Sequence, residues 1–185
     1  HRTRADKAGN PPLMRTVHAD RISLEPQTAA HADEMFVVLS DPAIYEHENE
    51  PPSSVEWLRT RFTKLESRLS ADGREQWLNW VIRLPGSELI GYVQATVLAD
   101  HRAQIAYEMK SSHWGQGLGY AATSAMIVEL IEHYQVVHLS AVLKQSNSRS
   151  RRLLERLGFA LASPEAWIAE QIEPDEILMI KDVAG

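Results

Sequence analysis

The chain has 185 residues, of which 44% are hydrophobic and 24% charged, a formal net charge of -6 and no cysteine. That length suits one well-buried domain and is short for two, and the lack of cysteine excludes disulfides, thiolate catalysis and thiolate metal sites. No apolar run approaches the ~20 residues of a membrane span or forms the apolar core of a secretory signal, so a cytoplasmic protein without membrane contact is expected.

Residues 1–13 (HRTRADKAGNPPL) are polar, broken by Pro and Gly and free of periodicity. They read as a disordered leader or expression remnant, with Met14 a possible natural start and the folded domain over 14–185. Residues 21–26 (RISLEP) alternate as a strand does. Residues 28–39 predict a helix with Thr28 as N-cap and Ala29, Ala32, Met35, Phe36 and Leu39 on one face. After the Asp41-Pro42 break a second helix is predicted from Ser53 or Ser54 to Ser70, with Ser53 and Glu56 fitting a capping box.

Past Ala71-Asp72-Gly73, the runs WLNWVIRL (77–84) and ELIGYVQATVL (88–98) are joined by Pro85-Gly86-Ser87 and predict a hairpin. A third antiparallel strand is predicted over 103–110. A glycine-rich segment then leads into a helix reaching about His133, followed by a short apolar strand (138–143) and a helix over 148–157 stopped by Gly158. Residues 159–162 and 177–180 read as closing strands, able to form a final hairpin. The order β-α-α-β-β-β-α-β-α-β-β indicates one mixed α/β domain.

Charge is segregated along this order. Residues 41–58 hold five acids (Asp41, Glu46, Glu48, Glu50, Glu56) and no Lys or Arg, whereas residues 144–156 hold five bases (Lys144, Arg149, Arg151, Arg152, Arg156) against Glu155. Two solvated faces would explain this, as would a basic pocket for an anion and an acidic approach for a cation.

The segment SSHWGQGLGYAA (111–122) spends three glycines, Gly115, Gly117 and Gly119, just before a helix. Glycine there is entropically costly, and the usual compensation is close approach of a ligand to the backbone, most often a phosphate at a helix N-terminus. A P-loop would require Lys and a hydroxyl after the last glycine, which are missing. A dinucleotide fingerprint fits Gly117, Gly119 and Ala122, but the next strand ends in Lys144 rather than the ribose-binding acid, and the segment follows an antiparallel meander.

A loop whose amides hold a pyrophosphate remains, and here the resemblance is specific. IAYEMKSSHWGQGLGYAATSAM (105–126) is similar to the Q/R-x-x-G-x-G/A motif of the GNAT N-acetyltransferases, and LSAVLKQSNSRSRRLLERLGF (139–159) resembles their strand followed by N-x-x-S-x-x-L-x-E-x-L-G-F. The W-G-Q-G and N-x-x-S forms, with the opening ADRISLEPQTAAHADEMFVVLSDP, resemble the branch of ribosomal-protein N-terminal alanine/serine acetyltransferases, the RimJ/RimL-like branch. The likeness covers about residues 18–180 in order. It implies a single-domain GNAT fold, with a mixed, mostly antiparallel sheet splayed between strands 4 and 5 of the predicted order and flanked by helices.

It also implies a site for acetyl-CoA. Strands 105–109 and 138–142 would admit the pantetheine arm, with backbone groups near Met109 pairing to it. Gly115, Gln116, Gly117, Gly119 and Tyr120 would wrap the pyrophosphate. Trp114 stands at the Q/R position, so its side chain cannot bond as Gln or Arg would, and the phosphate contact falls to backbone amides. Asn147 would contact the cofactor, cap the following helix, or both. Arg151 and Arg152 could reach the 3′-phosphate or face water. Ser150 is the candidate donor to the departing sulfur and Glu108 the candidate base, direct or through a water, although an alternating strand leaves open which face meets the acceptor. Leu154 occupies the position where many members carry a tyrosine acid.

His113 reads as a loop histidine, and the eight histidines show no metal-binding spacing. Trp57, Trp77 and Trp80 read as core or cleft wall. The expected function is transfer of acetyl from acetyl-CoA to a primary amine, by direct attack within a ternary complex. The acceptor is open among a protein N-terminus and a small amine such as a polyamine or aminoglycoside. A non-catalytic acyl-CoA-binding module is the competing class. Nucleic acid is not an expected partner at this net charge, and monomer and homodimer both stay open.

Overall fold

The computed structural model describes residues 12–86 and 88–183. All but the last two residues of the expected leader lie outside this range, as does Ser87 of the expected hairpin turn. Eight strands form one sheet in the order β1-β2-β3-β4-β5-β6-β8-β7. They are β1 (Val17–His18), β2 (Ser23–Pro26), β3 (Gln76–Arg83), β4 (Leu89–Leu98), β5 (Arg102–Met109), β6 (His138–Lys144), β7 (Ala160–Leu161) and β8 (Glu176–Asp182). Five α-helices flank it: α1 (Ala32–Val38), α2 (Val55–Leu65), α3 (Leu118–Tyr134), α4 (Ser148–Arg156) and α5 (Pro164–Ala169). Neighbouring strands are antiparallel except β5 and β6.

Both faces of the sheet are covered, which is why β3 reads as a nearly continuous apolar run. Leu78, Trp80 and Ile82 join the large core that includes Ala122, Met126 and Leu130 of α3. Val81 points the other way, into a smaller core with Ala32, Met35 and Val38 of α1 and Leu58 and Phe62 of α2. Two-residue periodicity thus sends alternate residues of each strand to different helices.

Several expectations need correction. The first predicted helix opens as a 3-10 turn (Ala29–His31), with the Thr28 amide donating to His31 Nδ1, and its buried face is Ala32, Met35 and Val38. Ser53 and Glu56 do not form the capping box; Ser54 caps α2 by accepting from the Trp57 amide. Helix α2 ends at Leu65 rather than Ser70, because the chain turns at Arg68 (φ 61°) and Leu69 bridges to Gln76. Strand β1 and helix α5 were not anticipated; both are too short for a readable period.

Gly91 in β4 fixes the spacing to β5. A Cβ there would lie 2.2 Å from the Glu108 carbonyl oxygen and 2.9 Å from Met109 Cα, so the two backbones approach more closely than any other residue permits. An isolated glycine in a strand pattern signals such an approach.

Candidate active site

Strands β5 and β6 pair only at their starts, Arg102 with His138, Ala103 with Leu139 and Gln104 with Ser140. Beyond that they part, which is the expected splay between the fourth and fifth predicted strands. Two cavities flank the opening. One, of about 360 Å³, runs from Tyr107 and Met109 past the glycine turn to Arg152 and Arg156. The other, of about 100 Å³, is closed by the segment Ala43, Ile44, His47, Glu48 and Asn49. Tyr107, Glu108, Asn147, Arg149 and Ser150 line both.

The larger cavity is built for an anion. Gly115 and Gly117 both sit at φ +78°, a left-handed conformation costly for other residues, and Gly117 is the N-cap of α3. No side chain caps this end of the helix, which leaves the first-turn amides and the positive end of the helix dipole for a ligand. Gly119 has another reason to be glycine: a Cβ there would crowd Leu153 Cδ1 at 3.1 Å, so it admits α4 against α3. Arg149, Arg152 and Arg156 of α4, spaced i, i+3 and i+7, all line the cavity, and Glu108 is the one carboxylate among its described lining residues. Arg156 lies over the Tyr120 ring at 4.7 Å.

At the junction, Arg149 stacks on Trp114 at 3.3 Å and approaches Glu108 to 3.8 Å. Trp114 Nε1 donates to the Met109 carbonyl at 2.8 Å, and the Met109 amide donates to Glu108 Oε1 at 3.0 Å. Both backbone groups of Met109 are therefore engaged. Burial raises the Glu108 carboxyl above its ordinary range, and Asp41 and Glu48 push the same way, against the Met109 amide and Arg149. Ser150 Oγ lies 2.8 Å from Tyr107 Oη, whose pKa is pushed up to about 12, chiefly by burial. Asn147 Oδ1 accepts from the Ser150 amide at 3.1 Å, so Asn147 is a helix cap as well as a lining residue of both cavities.

Not every predicted residue meets here. Gln116 is exposed and lines neither cavity, Arg151 turns toward Glu155 at 4.0 Å, and His113 faces Glu88 at 3.5 Å. Leu154 is 1% exposed and belongs to the large core, where burial stabilises by about 2 kcal/mol, and it reaches the site only as an apolar lining residue of the smaller cavity. Of the acids in the 41–58 stretch, Glu48 lines the smaller cavity, while the Asp41 carboxylate is occupied by the Ser111 and Ala43 amides. Trp80 is core, and Trp57 and Trp77 line a third cavity. Sequence reasoning missed Tyr107 and Arg149 as site residues. The arginine spacing on α4 was a legible signal, whereas the Tyr107–Ser150 contact joins residues 43 apart and was not.

A splayed parallel pair, roofed by a glycine turn and an arginine-bearing helix, defines an acyl-CoA-dependent transferase. The chain belongs to the acetyltransferase (GNAT) domain family, whose model matches residues 21–160. It is similar to the uncharacterized N-acetyltransferase p20 of Bacillus licheniformis, with 23% identity over 148 residues, 79% of this chain and 83% of that protein. In fold it resembles RimL, a ribosomal L7/L12 alpha-N-protein acetyltransferase solved in complex with coenzyme A, with a TM-score of 0.74 at 15% identity over 91% of this chain and 98% of that one. It also resembles the ribosomal-protein-S5-alanine acetyltransferase of Vibrio fischeri, with a TM-score of 0.72 at 16% identity over 91% of this chain and 97% of that one. The chain is thus an N-acetyltransferase that uses acetyl-CoA and acts on an amine. The larger cavity fits that donor: glycine amides and three arginines suit a pyrophosphate and a 3′-phosphate.

Proposed function

We propose that this enzyme belongs to the RimJ/RimL-like branch and acetylates a protein or peptide N-terminal amine by direct attack within a ternary complex. One observation carries this reading: Tyr107, Glu108, Asn147, Arg149 and Ser150 line both cavities, so one set of side chains faces donor and acceptor at once.

Acetyl-CoA, when bound, supplies an acetyl group as a thioester with a thiol leaving group. Gly115, Gly117, Tyr120, Arg152 and Arg156 hold its phosphates, and Trp114 and Met109 form the wall beside them. Glu108 takes the proton from the acceptor ammonium, and its raised pKa brings its basicity nearer to working pH. Ser150 donates a hydrogen bond to the departing sulfur, and its hydroxyl is held in place by Tyr107, 2.8 Å behind it. As the N–C bond forms and the C–S bond breaks, the second proton lost by the acceptor nitrogen is relayed through the Ser150 hydroxyl to the departing thiolate. Ser150 and Tyr107 both end protonated, and Glu108 returns its proton to solvent. The buried Leu154 takes no part.

Release of thiol from acetyl-CoA, followed with peptides that begin in Ala or Ser, with a polyamine and with an aminoglycoside, tests the reading. We expect the peptides to be turned over with the highest kcat/KM. Turnover of the small polycations alone would overturn the peptide assignment, and no thiol release with any amine would overturn the enzymatic role.

A further inference from the structure

A third cavity, of about 290 Å³, lies between α2 and the sheet face that carries Glu108. Its floor is a row of carboxamides. In the strand register Asn79 faces Gln94, and the Gln27 backbone N–H donates to the Asn79 backbone carbonyl oxygen, so Gln27, one residue past the end of β2, stands beside Asn79 of β3 and Gln94 of β4. Gln27 and Asn79 are 4% and 8% exposed, both line the cavity, and neither side chain makes a hydrogen bond among the described residues. Their donors and acceptors open onto the cavity unused by the protein, so two carboxamides side by side offer a ligand a hydrogen-bonding surface on an otherwise buried wall.

The walls restrict what that ligand is. Trp57 and Trp77 line it with indole rings, Arg61 lines it and is exposed, and no described lining residue is a carboxylate. The acidic character of the 41–58 stretch does not extend here, so the pocket favours an uncharged ring over a cation. Trp57 is 51% exposed, which leaves indole surface available to a ligand.

The cavity adjoins the acceptor side of the site, with Tyr92 between them. Tyr92 lines both this cavity and the smaller one beside Glu108, and it pairs directly with Glu108 in the β4–β5 register. From strand spacing and rise, Gln94 lies about 8 Å from Glu108 and Asn79 about 12 Å. An extended peptide places its third residue about 7 Å from its first, on the same side, with the side chain reaching further.

We propose that this cavity is a specificity subsite of the acceptor, receiving the third side chain of an N-terminal peptide when that side chain is an aromatic ring with a hydrogen-bonding edge. The inference rests on the peptide-acetyltransferase reading above.

The test uses the full chain with Ala-Gly-X-Gly amides in which X is Tyr, Phe, Leu, Lys or Glu. The Tyr peptide is expected to exceed the Leu peptide at least tenfold in kcat/KM, with Phe between them. Asn79→Leu lowers the Tyr peptide to the level of Phe, and Trp57→Ala, at an exposed position that leaves folding intact, removes most of the aromatic preference. The blocked peptide N-acetyl-Ala-Gly-Tyr-Gly amide, which has no free amine, reports occupancy alone. It should change tryptophan fluorescence of the parent and bind at least tenfold more weakly to Trp57→Ala. Rates independent of X, or blocked-peptide binding unchanged by both substitutions, would overturn the subsite. Failure to acetylate any of the peptides would instead overturn the reading beneath it, and blocked-peptide binding would still decide the subsite.

Discussion

Tyr107 Oη and Ser150 Oγ lie 2.8 Å apart across the opening between β5 and α4, and the same tyrosine oxygen is 3.2 Å from the Ser150 carbonyl. The serine hydroxyl is therefore held from the sheet rather than bonded back into its own helix. In the proposed mechanism this pair supplies the hydroxyl at the sulfur side, so no tyrosine is required at position 154.

Ser150→Ala should lower kcat more than it weakens acetyl-CoA binding, because the contact strengthens as charge develops on sulfur. Tyr107→Phe leaves the Ser150 hydroxyl in place but removes its partner, so a smaller loss is expected, of about tenfold in kcat. Steady-state kinetics beside calorimetric binding of coenzyme A separates the two effects. Equal kcat in Ser150→Ala and parent would clear this pair of a chemical role.

Glu108 gives a pH prediction with a definite sign. Its carboxyl is raised in the folded state by burial, so it must lose a proton before it can act as a base. The acid limb of kcat/KM should then lie above the ordinary glutamate range, and Glu108→Gln should abolish that limb along with most activity. Stability runs the other way. A carboxyl raised on folding binds more protons in the native state, so its contribution declines as pH rises from the unfolded value through the folded one. Thermal melts of Glu108→Gln should be at least as high as those of the parent at pH 8, with the advantage shrinking toward pH 4.

The glycine turn can be tested without unfolding it. Asparagine tolerates positive φ better than other side chains, and the nearest atom to a Cβ at 117 is the flexible Arg21 Nη1 at 3.1 Å. Gly117→Asn should keep the melting temperature within a few degrees and weaken coenzyme A binding at least tenfold, about 1.4 kcal/mol. Calorimetry on the folded variant reads both, and undiminished affinity would detach the turn from phosphate binding.

The acidic segment should act on encounter. Glu48 lines the acceptor-side cavity, and Glu46 and Glu50 are exposed near it in the chain. Such carboxylates are screened over about 8–10 Å at physiological salt. We expect kcat/KM for a cationic acceptor to fall as salt rises while kcat holds. Neutralising all three together should reproduce the fall and flatten the salt slope, with Glu48→Gln alone giving the larger part.

The elements long enough to show a period, β3 through α4, were legible in the sequence nearly to their ends, and the splay was implied by the family resemblance that the two flanking motifs carry. What was not legible depends on contacts across the fold. Ser54 rather than Ser53 caps α2, a choice between adjacent serines that pattern alone cannot make. Arg149 reads as one base in a run; its spacing with Arg152 and Arg156 sets it apart from Arg151, which faces outward to Glu155, but its stacking on Trp114 beside Glu108 has no sequence signal. Asp41 read as part of an electrostatic approach, but two amides from separate segments hold it as a brace. The carboxamide row needs three strands in register, and no local signal carries that.

Position 91 shows how mutational sensitivity can mislead. Gly91 does not line either site cavity, yet the first carbon of any side chain there would press on the carbonyl of Glu108 and the α-carbon of Met109. A saturation scan would find no tolerated substitution and would rank the position with the base itself. Its intolerance belongs to the backbone of the neighbouring strand, so a compensating change must be sought in β5 rather than in any ligand.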